Sequence, residues 1–166
     1  MIIINMVIGL LMGWLAILLH ELGHFIAGKS AGWKFYTLVA GPFGIKKEND
    51  KLSLFLERDP AFWGGYVRMF PKAADEDWAK GYLRTLMGGP AASILMAAIF
   101  ITMYFFTRNF HIGFFGIFNI LIGMATLIWG DGKIIRILKA GGQKAEEEIA
   151  LLKAAKHDFE VSHERT

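Results

Sequence analysis

His20-Glu21-Leu22-Gly23-His24 places two histidines four residues apart, with an acid directly after the first. On a helix, residues i and i+4 share a face, so His20 and His24 offer two imidazoles to one metal ion. Glu21 can reach a water bound at such a metal and suits the role of general base. A zinc site of this kind takes a third protein ligand and leaves its fourth position to water. The chain has no Cys, so thiolate ligands are excluded and zinc here must be bound by His and carboxylate.

The element that must carry this motif is apolar. Residues 1–19 hold one polar side chain, Asn5, and no charge. At about 1.5 Å per residue they cover roughly the hydrocarbon thickness of a bilayer. A signal peptide would show a basic leading region and a small-residue cleavage site, and neither is present. A retained transmembrane helix over residues 1–29 is the reading these residues support. Gly9 and Gly13 form a small-xxx-small pair suited to close helix approach. Gly23, Ala27 and Gly28 add a second face of small residues, and Gly32 supplies a stop.

The whole chain fits that medium. Of its 166 residues, 54% are hydrophobic and the mean hydropathy is +0.40, awkward values for a soluble domain. Fourteen Phe and five Trp fit a lipid-facing surface with interfacial anchors. No basic patch interleaved with aromatics points to nucleic acid.

A charged middle segment follows. Ten of the eighteen Lys and Arg lie between Lys29 and Arg84. Within it, residues 33–72 predict a small β region at the membrane surface. Strands are expected at 34–40, at 51–57 and at 64–70, with a break at Gly41-Pro42-Phe43-Gly44 and a hairpin tip at 46–50. A short amphipathic helix from about Asp75 leads to a second span at 88–107, with Pro90 in its first turn. A third span covers 110–130. Ile134 to Lys139 reads as an amphipathic continuation, and residues 140–166 as a cytosolic tail with a charged surface helix at 143–157. The fold class expected is therefore a mainly α-helical integral membrane protein: three transmembrane helices, with a membrane-associated β region between the first and second.

Three spans put the middle segment and the tail on the same side. The tail beyond Asp131 carries seven Lys and Arg, and the opposite face has only Arg108. The positive-inside rule then predicts the N-terminus out and the C-terminus in. His20, Glu21 and His24 end the first span and Asp131 ends the third, both near the cytoplasmic side. An Asp-Gly pair at a helix end is by itself an ordinary turn. At the same depth as two histidines at ligand spacing, the Asp131 carboxylate becomes the third ligand.

The set of motifs resembles the site-2 protease family of intramembrane zinc metalloproteases. The family pattern is His-Glu-x-x-His in one core helix, Gly-Pro in the next, and Asn-x-x-Pro with a downstream Asp-Gly in a third. Here these stand as His20–His24, Gly89-Pro90-Ala91-Ala92-Ser93, and Asn119 followed by Asp131-Gly132. Ile122 replaces the family's Pro, with a helix break at Gly123 as the substitute, and Ser93 replaces its Asn. The resemblance implies Zn²⁺ on His20, His24 and Asp131, Glu21 as base, and substrate binding by Asn119, Gly89, Pro90 and Ser93. It also implies a β region that pairs with an unwound substrate by strand addition. The partners implied are the lipid bilayer and a membrane-protein or membrane-peptide substrate, and the location a plasma (inner) membrane. A binding module of the same family, impaired in catalysis, is the competing reading, supported by Ile122 and Ser93.

Overall fold

The computed structural model describes residues 2–48, 51–72 and 77–164. Three of its helices are long and apolar enough to cross a membrane. Helix α1 (Ile2–Ser30) carries the His-Glu-x-x-His motif, and its 29 residues reach about 43 Å at 1.5 Å each. It ends where Gly32 takes φ +85, a conformation that favours a residue without Cβ. Helix α2 (Trp78–Thr107) and helix α3 (Phe110–Ile128) follow. Only Arg108, at φ 54, and the N-cap Asn109 separate them. Helix α4 (Asp131–Ala140) and helix α5 (Gln143–Glu164) complete the chain.

Helix α2 is the central member, packed against α1 on one side and α3 on the other. It differs from expectation in two ways. The helix begins at Trp78, capped by the Asp77 side chain, and no break separates the amphipathic start from the apolar span. Pro90 consequently lies in the helix interior and is buried. Its ring removes one backbone bond, which a helix flanked on both sides can tolerate. Helix α3 likewise runs unbroken through Ile122 and Gly123, so the expected break there is absent.

The β region has four strands, not three: β1 (Lys34–Ala40), β2 (Phe43–Glu48), β3 (Lys51–Leu56) and β4 (Tyr66–Phe70). They form one antiparallel sheet in the order β3-β2-β1-β4. The expected break at Gly41–Gly44 shrinks to Gly41-Pro42, because Gly44 is a strand residue opposite Phe55. The Phe55 ring covers the space a Cβ on Gly44 would take, which explains a glycine inside a strand. Of the expected hairpin tip, residues 46–48 belong to β2 and 49–50 lie outside the described residues. Asp75, the expected start of the amphipathic helix, lies outside them too.

The sheet also stands alongside α1 rather than lying at its end. The Trp14 indole N–H donates to the Ala40 carbonyl at 2.7 Å, and its ring meets Phe43 edge-on. Trp14 is six residues, about 9 Å, before His20 along the helix. Strand β4 runs beside the same helix, from Gly65 against Ile17 and Glu21 to Met69 against Gly28.

Helix α5 is longer than expected and is docked. Phe159 packs edge-on against Tyr36, with centroids 4.8 Å apart, and also contacts Phe70. Lys156 donates to the Pro71 carbonyl at 3.1 Å.

Outside these contacts the first three helices present large apolar side chains. Ile3, Leu10, Leu11, Ile94, Leu95, Phe106, Ile117 and Leu121 are all exposed. Surfaces of this extent exceed what soluble monomers ordinarily show.

Candidate metal centre

The two histidines lie on the face of α1 that meets α2. Ala16, His20 and His24 recur at four-residue spacing and are buried there. The helices approach closely because Gly23 faces Gly88, and a Cβ on either would overlap backbone of the other. Gly89 sits directly against the imidazoles, where a Cβ would overlap Nε2 of both His24 and His20. Asp131 reaches the same point as the first residue of α4, since α3 stops at Ile128 and the chain turns at Gly130. It opens a helix, instead of closing one as the Asp-Gly pair suggested.

Three potential ligand atoms converge. His20 Nε2 and His24 Nε2 are 3.2 Å apart, and they lie 3.4 and 3.3 Å from Asp131 Oδ2. No other group of three His or acidic residues among those described could hold a metal.

The second imidazole nitrogens explain why Nε2 is free to bind. His24 Nδ1–H donates to the Thr85 carbonyl at 2.8 Å, an oxygen that can only accept. The Gly89 N–H also points at that nitrogen, at 3.3 Å, but the shorter contact with an obligate acceptor decides where the proton sits. His20 Nδ1 is 2.9 Å from Ser93 Oγ. Where Nδ1 carries the proton, each Nε2 turns its lone pair toward the Asp131 carboxylate oxygen, an arrangement suited to a cation. A tetrahedron with bonds of about 2.0–2.1 Å has edges of about 3.3 Å. The observed separations match it, and two imidazoles with one carboxylate suit zinc with one open position.

Glu21 is buried beside this group, only 5% exposed. Room for its carboxylate exists because Gly65, at φ +94, brings bare backbone against it; a Cβ there would lie 2.6 Å from Oε1. These residues open on a cleft of 360 Å³, which Gly64, Gly65, Tyr66 and Val67 line from the sheet side. Tyr82 and Leu86 of α2, and Ile122 and Thr126 of α3, form its other walls.

Of the sequence-derived site residues, His20, Glu21, His24 and Asp131 all line this cleft. Asn119, Gly89, Pro90 and Ser93 are not among its lining residues and are buried. Asn119 is fully buried, its Nδ2–H donating to the Phe115 carbonyl at 2.9 Å, and its Oδ1 has no partner among the described residues. The Thr85 carbonyl was not legible, because a backbone acceptor leaves no mark in side-chain identity. The wall residues Tyr82 and Leu86 did leave one. With Thr85 and Gly89 they sit at i, i+3, i+4 and i+7, the spacing of one helix face.

Helices long and apolar enough to cross a membrane thus surround a His, His, Asp group that could hold a metal ion, with an acid adjacent. The chain belongs to peptidase family M50, whose model matches residues 7–162. This is the site-2 protease family, made up of membrane zinc metalloproteases. No curated protein and no solved structure matches the chain.

Proposed function

We propose that this protein is an intramembrane zinc metalloprotease that hydrolyses peptide bonds of membrane-embedded substrates. The convergence of His20 Nε2, His24 Nε2 and Asp131 Oδ2, with Glu21 buried at the same cleft, carries the reading. The helices cross a plasma (inner) membrane with the N-terminus out and the cleft toward the cytoplasm. Support for that orientation comes from the seventeen Lys and Arg on one side of the spans against Arg108 on the other.

His20, His24 and Asp131 would hold the ion, which would supply acidification of a water and polarisation of a carbonyl. Glu21 takes the proton of the attacking water and returns one to the leaving amine. The Thr85 carbonyl holds His24 in the tautomer that presents Nε2, and Ser93 Oγ orients the His20 ring. Ser93 thus acts as a positioning residue, and Gly89 makes space for the ligands. Asn119, buried and not lining the cleft, has no direct role toward substrate in this reading.

A transmembrane substrate must unwind before its backbone reaches the centre. Strand β4 lies at the edge of the sheet, and its start lines the cleft. An unwound segment pairs there by strand addition, which satisfies its backbone groups beside the ligands.

The competing reading, a member impaired in catalysis that only binds membrane proteins, rests on Ile122 and Ser93. Against it, Glu21 is retained and housed by Gly65, which a pure metal holder would not need. Purified protein and its Glu21→Gln variant, incubated with a membrane-peptide substrate, separate the two. We expect Glu21→Gln to keep its zinc and lose cleavage by about 10²–10⁴-fold. Equal cleavage by both proteins would remove Glu21 as the base.

A further inference from the structure

A second pocket, of 220 Å³, lies between the end of α1 and the first turns of α2. Ala31, Trp33, Asp77, Lys80, Gly81 and Arg84 line it, and it shares no residue with the cleft. Trp33 is only 2% exposed. Its Nε1 is pressed against Gly81, where a Cβ would overlap it, and it donates to no acceptor among the described residues. The N–H of a buried Trp ring ordinarily finds a partner, and this one is not sealed from solvent as the unpartnered Trp78 Nε1 is. This one ends on the pocket wall.

Two cations flank it. Arg84 Nη1–H donates to the Ser30 carbonyl at 3.2 Å, which fixes the guanidinium at the rim with its other N–H groups unpartnered among the described residues. Lys80 stands one turn earlier. The Asp77 carboxylate accepts from the Lys80 backbone N–H at 3.0 Å and brings the local charge of the three side chains to +1. That balance suits a single negative charge, as on a phosphodiester, better than the nearly double charge of free phosphate. The donor set of guanidinium, ammonium and indole N–H is matched to phosphate oxygens. Exposed Ile26 and Met87 lie on neighbouring turns and offer an apolar path beside the pocket.

We propose that this pocket binds the phosphodiester headgroup of a membrane lipid, held by Lys80, Arg84 and the Trp33 N–H. The inference rests on the membrane placement proposed above. The Trp33 ring also stacks on Tyr82, with centroids 6.1 Å apart and planes at 21°. Tyr82 lines the cleft, so an occupied headgroup pocket buttresses one wall of the catalytic site.

The test is native mass spectrometry of the full chain in detergent, titrated with phosphatidylglycerol, uncharged diacylglycerol and inorganic phosphate. One phosphatidylglycerol should be retained, and diacylglycerol should not. The double variant Lys80→Gln/Arg84→Gln should weaken retention about tenfold, the effect of losing charge-assisted hydrogen bonds. Trp33→Phe, which keeps an aromatic ring but removes the N–H, should weaken it by a smaller factor, and Lys51→Gln on the hairpin should change nothing. Equal retention by all of these proteins overturns the site. Displacement of the lipid by millimolar inorganic phosphate assigns the pocket to free phosphate and overturns the lipid reading. Zinc content and Glu21-dependent cleavage, measured on the same samples, keep the two proposals apart. Unselective lipid binding with zinc and cleavage intact refutes only the pocket, and absent zinc with selective lipid binding refutes only the protease.

Discussion

The two ends of helix α1 both carry glycines at helical spacing, and they behave differently. At the N-terminal end, a Cβ on Gly9 would meet nothing within 4 Å, and one on Gly13 would make only ordinary contact with Phe118. At the other end, Gly23 and Gly88 bring two backbones so close that no side chain fits, and Gly89 backs onto both ligand nitrogens. The small-xxx-small pair at Gly9 and Gly13 marks no close helix contact within the chain. Close approach is concentrated where the chemistry is. The position of both histidines against α2 depends on the approach of α1 and α2, and that approach is tightest at Gly23, Gly88 and Gly89, together with Ala27 and Ala92.

This contrast can be broken most sharply at Gly89. Gly89→Ala places a methyl group on both imidazole Nε2 atoms, so metal binding and cleavage should both be lost, read by zinc analysis of the purified variant. Retention of stoichiometric zinc would mean the two helices separate more easily than the packing implies. Gly23→Val comes next. Overpacking against Gly88 should cost about 1–3 kcal/mol and lower the thermal midpoint, with zinc affinity falling as the ligands are pushed apart.

Ser93→Ala tests the hydrogen bond behind His20 rather than the backbone approach. Removing such a partner commonly costs about 10–100-fold in metal affinity, which competition with a chelator would measure. The fold should be unaffected, and an unchanged affinity would show that packing alone orients the ring. Gly9→Leu is the smallest change. With open space around it, stability should stay within about 0.5 kcal/mol of the parent, and a large loss would reveal a close contact at that end after all.

How much could be read beforehand follows the same division. The three apolar helices, strand β1, strand β3 and the meeting of His20, His24 and Asp131 were all legible. Each follows from periodicity, charge distribution or span counting, which are properties of local sequence. Strand β2 was hidden because Gly44 looks like a turn residue until the Phe55 ring is seen lying over it. The unbroken course of α2 through Pro90 was hidden because a proline normally argues for a helix start, and only flanking helices on both sides let it sit inside one. The docking of α5 was hidden because Phe159 is a single aromatic in a charged helix, and its partners Tyr36 and Phe70 lie far away in sequence.

The sequence by itself determined the donor set: two imidazoles on one helical face, an acid beside them, and a carboxylate delivered to the same depth by a later helix. Tertiary structure alone decided which atoms face the centre. The Thr85 carbonyl selects the His24 tautomer, Ser93 Oγ orients His20, Gly65 houses Glu21, and Asn119 is buried away from the cleft lining. These outcomes depend on how closely separate backbones approach one another. That distance is set by packing between elements remote in the chain, and no local pattern of residue types encodes it.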